Sequence, residues 1–436
     1  MIPSLTGVET ALSGLEAEQA ALDTTGNNIT NASTPGYSEE VVNLGASTPE
    51  EIPAQADDGD TFTQLGTGVD VSSITRQRSQ YLDASYRAQN TILGFNTQTA
   101  TSLGDAQTLF QEPGSGGLSS QMSTVWSDWN ALANNPSSLS DQQTLVDDAT
   151  TMTQSFQSLY SQLSTLQSQS SSEFSSLTGS GGQLLQDANQ IASLNTSISQ
   201  AIAAGQSPNT LEDSRDSAID DLSSLGQVSI TNESDGTVTV NFGDAAQPLV
   251  SGSTVTWPQT ITSATGGQLG ALLNASSATG TVGSLMSSLN TVASDLVSSV
   301  NGLSTTTPFF SGNSASTIAV AVSPGNVETS STGTAGANDV AQAIAALQGG
   351  TADTAYTALV SKVGSSVQAA QSAQSNSQAI TTAFSNQRES VSGVSLDQEM
   401  TNLITFQRGY QASAQSLNTI DQVLNTLISE VGGAGL

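Results

Sequence analysis

Cysteine and histidine are absent from the 436 residues, and lysine occurs once, at Lys362. Those absences exclude whole chemistries. Without His or Cys the chain has no Ser-His-Asp triad, no thiolate nucleophile, no imidazole or thiolate metal site and no disulfide. A Walker phosphate loop needs a lysine after its glycines, and Lys362 follows Ser361. Cations of any kind are scarce, with 7 Lys+Arg against 38 Asp+Glu and a formal charge of −31. So acidic a chain repels phosphate backbones, so no nucleic-acid partner is expected. Charged residues amount to 10% and aromatics to 4% of the chain, while serine supplies roughly one residue in six. No apolar run approaches the roughly 18 residues of a membrane-spanning helix, so no membrane partner is expected. Met1-Ile2-Pro3-Ser4 carries neither a basic segment nor an apolar core, so no Sec-type signal is expected. Export, if it occurs, needs another route.

Apolar residues are regularly spaced, which argues against general disorder. Steps of three and four from Leu396 pass through Glu399, Leu403, Phe406, Tyr410, Ser413, Leu417, Ile420, Leu424, Leu427 and Val431. Such a heptad seam on a long helix is narrow enough for a partner helix. The N-terminal stretch repeats it with Leu5, Val8, Leu12, Leu15, Gln19, Leu22, Gly26 and Ile29. Neither helix buries its stripe alone, so the two are expected to pack on each other and on copies in neighbouring subunits. Packing on their own domain is the plainer alternative. The flanking faces carry Ala, Ser, Thr, Asn and Gln rather than Lys and Glu, as helices in a wall of like helices would. After the first helix comes Asn27-Asn28-Ile29-Thr30-Asn31-Ala32-Ser33-Thr34-Pro35-Gly36-Tyr37. Asn and Thr bond nearby backbone and stop the helix, and Pro-Gly fits the two central positions of a type II turn.

That run resembles the asparagine-rich motif after the first helix of bacterial flagellar axial proteins: rod, hook and hook-associated. Asn27, Asn28, Asn31, Pro35, Gly36 and Tyr37 carry it. The run Ser392–Ile428 is similar to the terminal helix of the same family. Three inner landmarks are similar to its junction-forming, hook-associated branch: Gly68–Leu82, Asn209–Asp216 and Gly266–Leu273. The resemblance implies a non-enzymatic structural subunit without cofactors, joining hook to filament, with terminal helices lining the inner tube. Assembly contacts are then expected at Leu5, Val8, Leu12, Leu15, Leu22, Ile29, Leu403, Phe406, Tyr410, Leu417, Ile420, Leu424 and Leu427. The implied partners are copies of itself, the hook protein, a second junction protein and an export chaperone on the C-terminal helix. The implied location is extracellular, on the flagellum. Other readings stay open: another axial protein, or a secreted adhesin or carboxylate hydrolase with similar ends.

In the middle, Ile74–Phe110 reads as helix, bearing Arg76, Arg78 and Arg87. These three pair with acids either between subunits, fixing register, or within one chain. Trp126 and Trp129, three apart, read as core anchors. Asn134-Asn135-Pro136 and Gly179–Gly182 interrupt or loosen long helices. Past Leu225 the period becomes two, with Asp235-Gly236 as a hairpin turn, so strands are expected over about 227–263. Asp57, Asp58 and Asp60 near Glu50 and Glu51 miss the calcium-loop spacing and read as solvated acids. The expected fold is mainly α: a coiled-coil-like pair of terminal helices, a long-helix bundle and a small β-rich insertion. Its expected parts are 1–34 with 394–436, 35–117 with 283–393, 118–226 and 227–282. With few cations, little positive self-repulsion arises in acid, so tolerance of acidic surroundings is expected.

Overall fold

The computed structural model describes residues 3–53, 62–114 and 116–433. The chain runs α1 (Pro3–Asn31), β1 (Glu40–Ala46), β2 (Glu50–Pro53), β3 (Phe62–Leu65), β4 (Val69–Arg76), α2 (Gln80–Phe110), α3 (Leu118–Asn134), α4 (Leu139–Thr178), α5 (Gln183–Ala203) and α6 (Asn209–Leu225). It continues with β5 (Val228–Asn232), β6 (Val238–Phe242), β7 (Val250–Ser251), β8 (Thr254–Val255), α7 (Gly267–Ser276), α8 (Thr281–Asn301), β9 (Phe310–Ser311), β10 (Ala319–Val320), α9 (Asp339–Ala345), α10 (Thr351–Ser392) and α11 (Leu396–Gly433). Helices take up about two thirds of the described residues, so the chain is mainly α.

Two apolar cores organise the body. The larger gathers α2, α3, α4, α8, α9 and α10 around Trp126, Trp129, Phe156, Leu163, Leu289 and Tyr356. The tryptophans are anchors: Trp126 Nε1 donates to Asp353 Oδ1 at 3.0 Å, and Trp129 meets the Phe309 ring edge-on at 4.9 Å. The smaller core packs α5, α6 and α7 against the sheet β5-β6-β7-β8 through Leu184, Ile191, Ile219, Leu222, Val240 and Phe242. The stretch 118–226, expected as one long-helix region, is therefore shared between two cores. Its helices are split at the two expected breaks, since Pro136 and the Gly179–Gly182 run stop α3 and α4. The expected hairpin is present: β5 and β6 pair antiparallel from Val228↔Phe242 to Asn232↔Val238, and Gly236 in the turn has φ +81°.

One expectation is corrected. Ile74 and Arg76 lie in β4, not in a helix, and α2 begins only at Gln80. Val69, Val71 and Thr75 are spaced for a strand, and β4 pairs antiparallel with β1 from Glu40↔Arg76 to Ala46↔Val69. Ser79 closes the gap as helix cap, accepting from the Leu82 amide. Asp57, Asp58 and Asp60 lie outside the described residues. Among those described, no group of His, Cys, Asp or Glu has the makings of a metal site, and no helix is long and apolar enough to cross a membrane.

Candidate assembly surface

The chain ends meet as an antiparallel pair, α1 against α11. A Cβ on Gly7 would lie 3.4 Å from Ile420 Cδ1, and one on Gly14 would lie 3.1 Å from Ser413 Oγ. Glu18 reaches Gly409, and Asn28 reaches Glu399. Each advance along α1 is matched by an equal retreat along α11, so the register is constant over three heptads, about six helical turns. The α11 side uses the expected stripe: Leu403, Phe406, Tyr410, Ser413, Leu417, Ile420 and Leu424 are half-buried, and Glu399 is buried. At its ends Leu396 and Leu427 stay exposed. The side chain of Val431 lies outside the described residues.

On α1 the seam differs from the expected one. The face toward α11 carries Gly7, Ala11, Gly14, Glu18, Ala21, Thr25 and Asn28. Ala11, Ala21, Thr25 and Asn28 are buried, whereas Leu12 is 45% exposed and Val8, Leu15, Leu22 and Ile29 are only half-buried. Small residues let the two axes approach closely, whereas leucines on this face would hold them apart. The larger apolar residues sit one step round the helix. The strands β1 and β4 cover the other flank, where the Ser13 hydroxyl accepts from the Val69 amide at 3.2 Å and Ala17 and Thr24 are buried. Val8, Leu12, Leu15, Leu22 and Ile29 therefore form a flank covered fully by neither α11 nor the strands. The side chain of Leu5 lies outside the described residues.

Asn28 is the pin of this arrangement, buried to 1% exposure. Its Oδ1 accepts from the Tyr37 hydroxyl at 2.8 Å and the Glu40 amide at 3.0 Å. Its Nδ2 donates to the Glu40 carbonyl at 2.9 Å and to Glu399 Oε1 at 3.3 Å. One amide thus ties helix, turn, strand and partner helix together. Around it, Asn31 Nδ2 donates to Asn27 Oδ1 at 2.8 Å, and Asn27 reaches Glu40. Pro35 and Gly36 form the centre of the turn closed by Tyr37 N–H to Thr34 C=O, with φ +81° at Gly36. Burial, with Glu40 and Asp213 next, raises the Tyr37 phenol well above its ordinary value, so it stays a donor. Burial also raises Glu18 and, with help from Glu399, Glu39.

A charged hub then fixes this end to the body. Asp213 on α6 accepts from the Ser38 amide at 2.9 Å and hydroxyl at 2.8 Å, and from Arg76 at 2.6 Å. Arg76 also meets Glu212 and Asp216; Arg78 meets Asp83; Arg87 meets Asp216 and Asp220; Arg388 on α10 meets Asp220. Burial works against the Asp216 charge, yet Arg78, Arg87 and Arg76 hold its carboxyl below the usual range. The arginines of Arg76–Arg87 therefore pair within one chain, so the inter-subunit alternative is not what they serve. Apart from Asp83, the acids that receive them lie more than a hundred residues away, where spacing gives no signal. Arg215 points the other way, to Asn195 Oδ1 at 3.1 Å and the Gly236 carbonyl at 2.7 Å, and so secures the hairpin turn.

A pair of terminal helices, a motif-bearing turn and a body hung from them define a class of protein: an axial subunit of the bacterial flagellum. Three family profiles match in chain order: flagella basal body rod protein over 9–37, the helical domain of flagellar hook-associated protein FlgK over 103–264, and the C-terminal region of the rod proteins FlgEFG over 385–430. The chain is similar to the flagellar hook-associated protein 1 family. It is similar to flagellar hook-associated protein 1 of Bacillus subtilis strain 168, 28% identical with all of both chains covered. The Escherichia coli K12 protein of that name is 28% identical over 57% of this chain and 43% of its own length. The solved flagellar hook junction protein FlgK of Burkholderia pseudomallei is 24% identical, covers 52% of this chain and 43% of its own, and superposes with a TM-score of 0.44. The relatives are structural flagellar proteins.

Proposed function

We propose that the chain is a structural subunit joining hook to filament, polymerising through the α1–α11 pair. The observation that carries this is the half-open apolar flank of Val8, Leu12, Leu15, Leu22 and Ile29, which the single chain leaves without full cover. Burying such a flank against the next copy is a gain the monomer does not have. The seam residues Leu403, Phe406, Tyr410, Leu417, Ile420 and Leu424 hold α11 in place for that contact, exposed Leu427 is left for a neighbouring copy, and Asn27, Asn28, Asn31, Pro35, Gly36 and Tyr37 set the exit angle of α1. The hook protein below and a second junction protein above are the expected neighbours. Export is by the flagellar secretion route, with a chaperone covering α11 beforehand. The chain then works outside the cell and needs none of its carboxylates for catalysis. Electron microscopy of cells lacking the protein tests this. Hooks without filaments, and filament subunits lost to the medium, are expected; filaments still attached to hooks would reject the assignment.

A further inference from the structure

Seven cations serve the whole chain, and the structure accounts for most of them. Four arginines are consumed by the hub and Arg215 by the hairpin turn. Arg408, on α11, is exposed and has no ion pair or hydrogen bond among the described residues. An exposed, unpaired guanidinium is unusual on a surface so rich in carboxylates, and its position explains why it is unpaired. The residues of α11 that meet α1 include Glu399, Phe406 and Ser413. Arg408 lies two residues beyond Phe406, about 200° round the helix and thus on its outer side.

The outer side of α1 carries the opposite charge. Glu9, Glu16 and Asp23 are all exposed and stand seven residues apart. Each follows a seam residue (Gly7, Gly14 or Ala21) by two positions, so the three form one acidic line about 10.5 Å per step, facing away from α11. Within a chain, the arginine and the acid line point in opposite directions. They meet only if the outer side of one copy's α11 faces the outer side of the next copy's α1. Such a contact is heterologous, and repetition closes a ring or continues as a helix. Leu12, 45% exposed, sits one turn from Glu9 and Glu16, and Ile404, 48% exposed, one turn from Arg408, so apolar cover flanks the charges on both helices.

We propose that Arg408 is the register key between neighbouring copies, pairing with the Glu9–Glu16–Asp23 line of the next subunit. This rests on the assembly reading above. In the antiparallel register Arg408 stands level with α1 between Glu16 and Asp23, and Glu16 needs the smaller axial shift, about 4.5 Å. Arg408→Glu tests it, produced in cells lacking the natural chain. Because Arg408 is exposed and unpaired, the purified variant should melt like the wild type. Its retention on hooks should fall at least tenfold, with the variant accumulating in the medium. Glu16→Arg in the same chain should restore retention to within about threefold; rescue by Glu9→Arg or Asp23→Arg instead supports the pairing with a different stagger. Wild-type retention of Arg408→Glu, or failure of all three reversals to restore it, would overturn the register key while leaving assembly by terminal helices standing. Filaments on hooks lacking the protein altogether would instead remove the assembly reading itself.

Discussion

Replacing Asp213 by alanine should loosen the whole terminal unit from the body, although Asp213 lies far from either chain end. Four donors converge on it: the Ser38 amide and hydroxyl, Arg76 and, at 3.4 Å, Arg78. The arginines do not become orphans, because Arg76 keeps Glu212 and Asp216, and Arg78 keeps Asp83. Ser38 does, and at 1% exposure water does not reach its two donors. Breaking a buried pair costs about 3–5 kcal/mol when a charge is stranded. With the charges still paired, two unsatisfied donors at about 1–3 kcal/mol each and some lost Coulomb energy put the cost near 3 kcal/mol. At 1.4 kcal/mol per factor of ten, amide exchange in the native state over residues 37–46 should accelerate by about 100-fold. Asp213→Asn keeps an oxygen for Ser38 and should cost roughly half as much. Exchange of that segment unchanged within threefold in Asp213→Ala, or equal damage from Asn and Ala, would refute the reasoning.

Stability should peak in mildly acidic solution. Burial and the neighbouring Asp148 raise Asp128 to about 6, and burial raises Asp187 to about 6. A raised acid binds its proton more tightly folded than unfolded, so stability falls as pH climbs from 4 through 6. Asp244 and Glu328, held at about 2 by hydrogen bonds from Thr262 and Thr305, lose their contribution as pH drops from 4 to 2. Melting from pH 2 to 8 checks both limbs; a maximum at pH 7 or above would contradict them. Trp129→Ala empties the space beside Phe309 in the larger core and should cost about 3–5 kcal/mol in thermal unfolding. Gly14→Leu should separate the terminal helices, since even a Cβ there already touches Ser413 Oγ; cross-linking yield between α1 and α11 should fall severalfold while the melting of the body is unchanged.

The sequence pattern led to different depths in different elements. The α11 stripe is readable because Leu403, Phe406, Leu417 and Ile420 are large and their neighbours polar. On α1 the same search settles on the leucines and passes over Gly7, Ala11, Gly14 and Ala21, because a small-residue seam has little hydrophobicity to mark it. The Asn-rich run announces a stop and a turn, but the four bonds of Asn28 depend on Glu40 and Glu399, the second of which arrives from the far end of the chain. Arg76, Arg78 and Arg87 stand out as a cluster in a cation-poor chain. Whether they serve contacts within or between chains is decided by Asp213–Asp220, an acidic helix whose partner face is invisible in one dimension. The α4–α5 break at Gly179–Gly182 is legible, yet local breaks carry no record of which core each helix joins.

The claim on which all this turns is that the flank of Leu12, Leu15 and Leu22 is the surface by which copies hold one another. Full-length chain carrying Leu12→Ser, Leu15→Ser and Leu22→Ser, supplied to cells lacking the natural protein, measures it directly by counting hooks that bear filaments. Bare hooks, with a folded variant recovered from the medium, are the predicted result. Filaments at wild-type frequency would contradict the account.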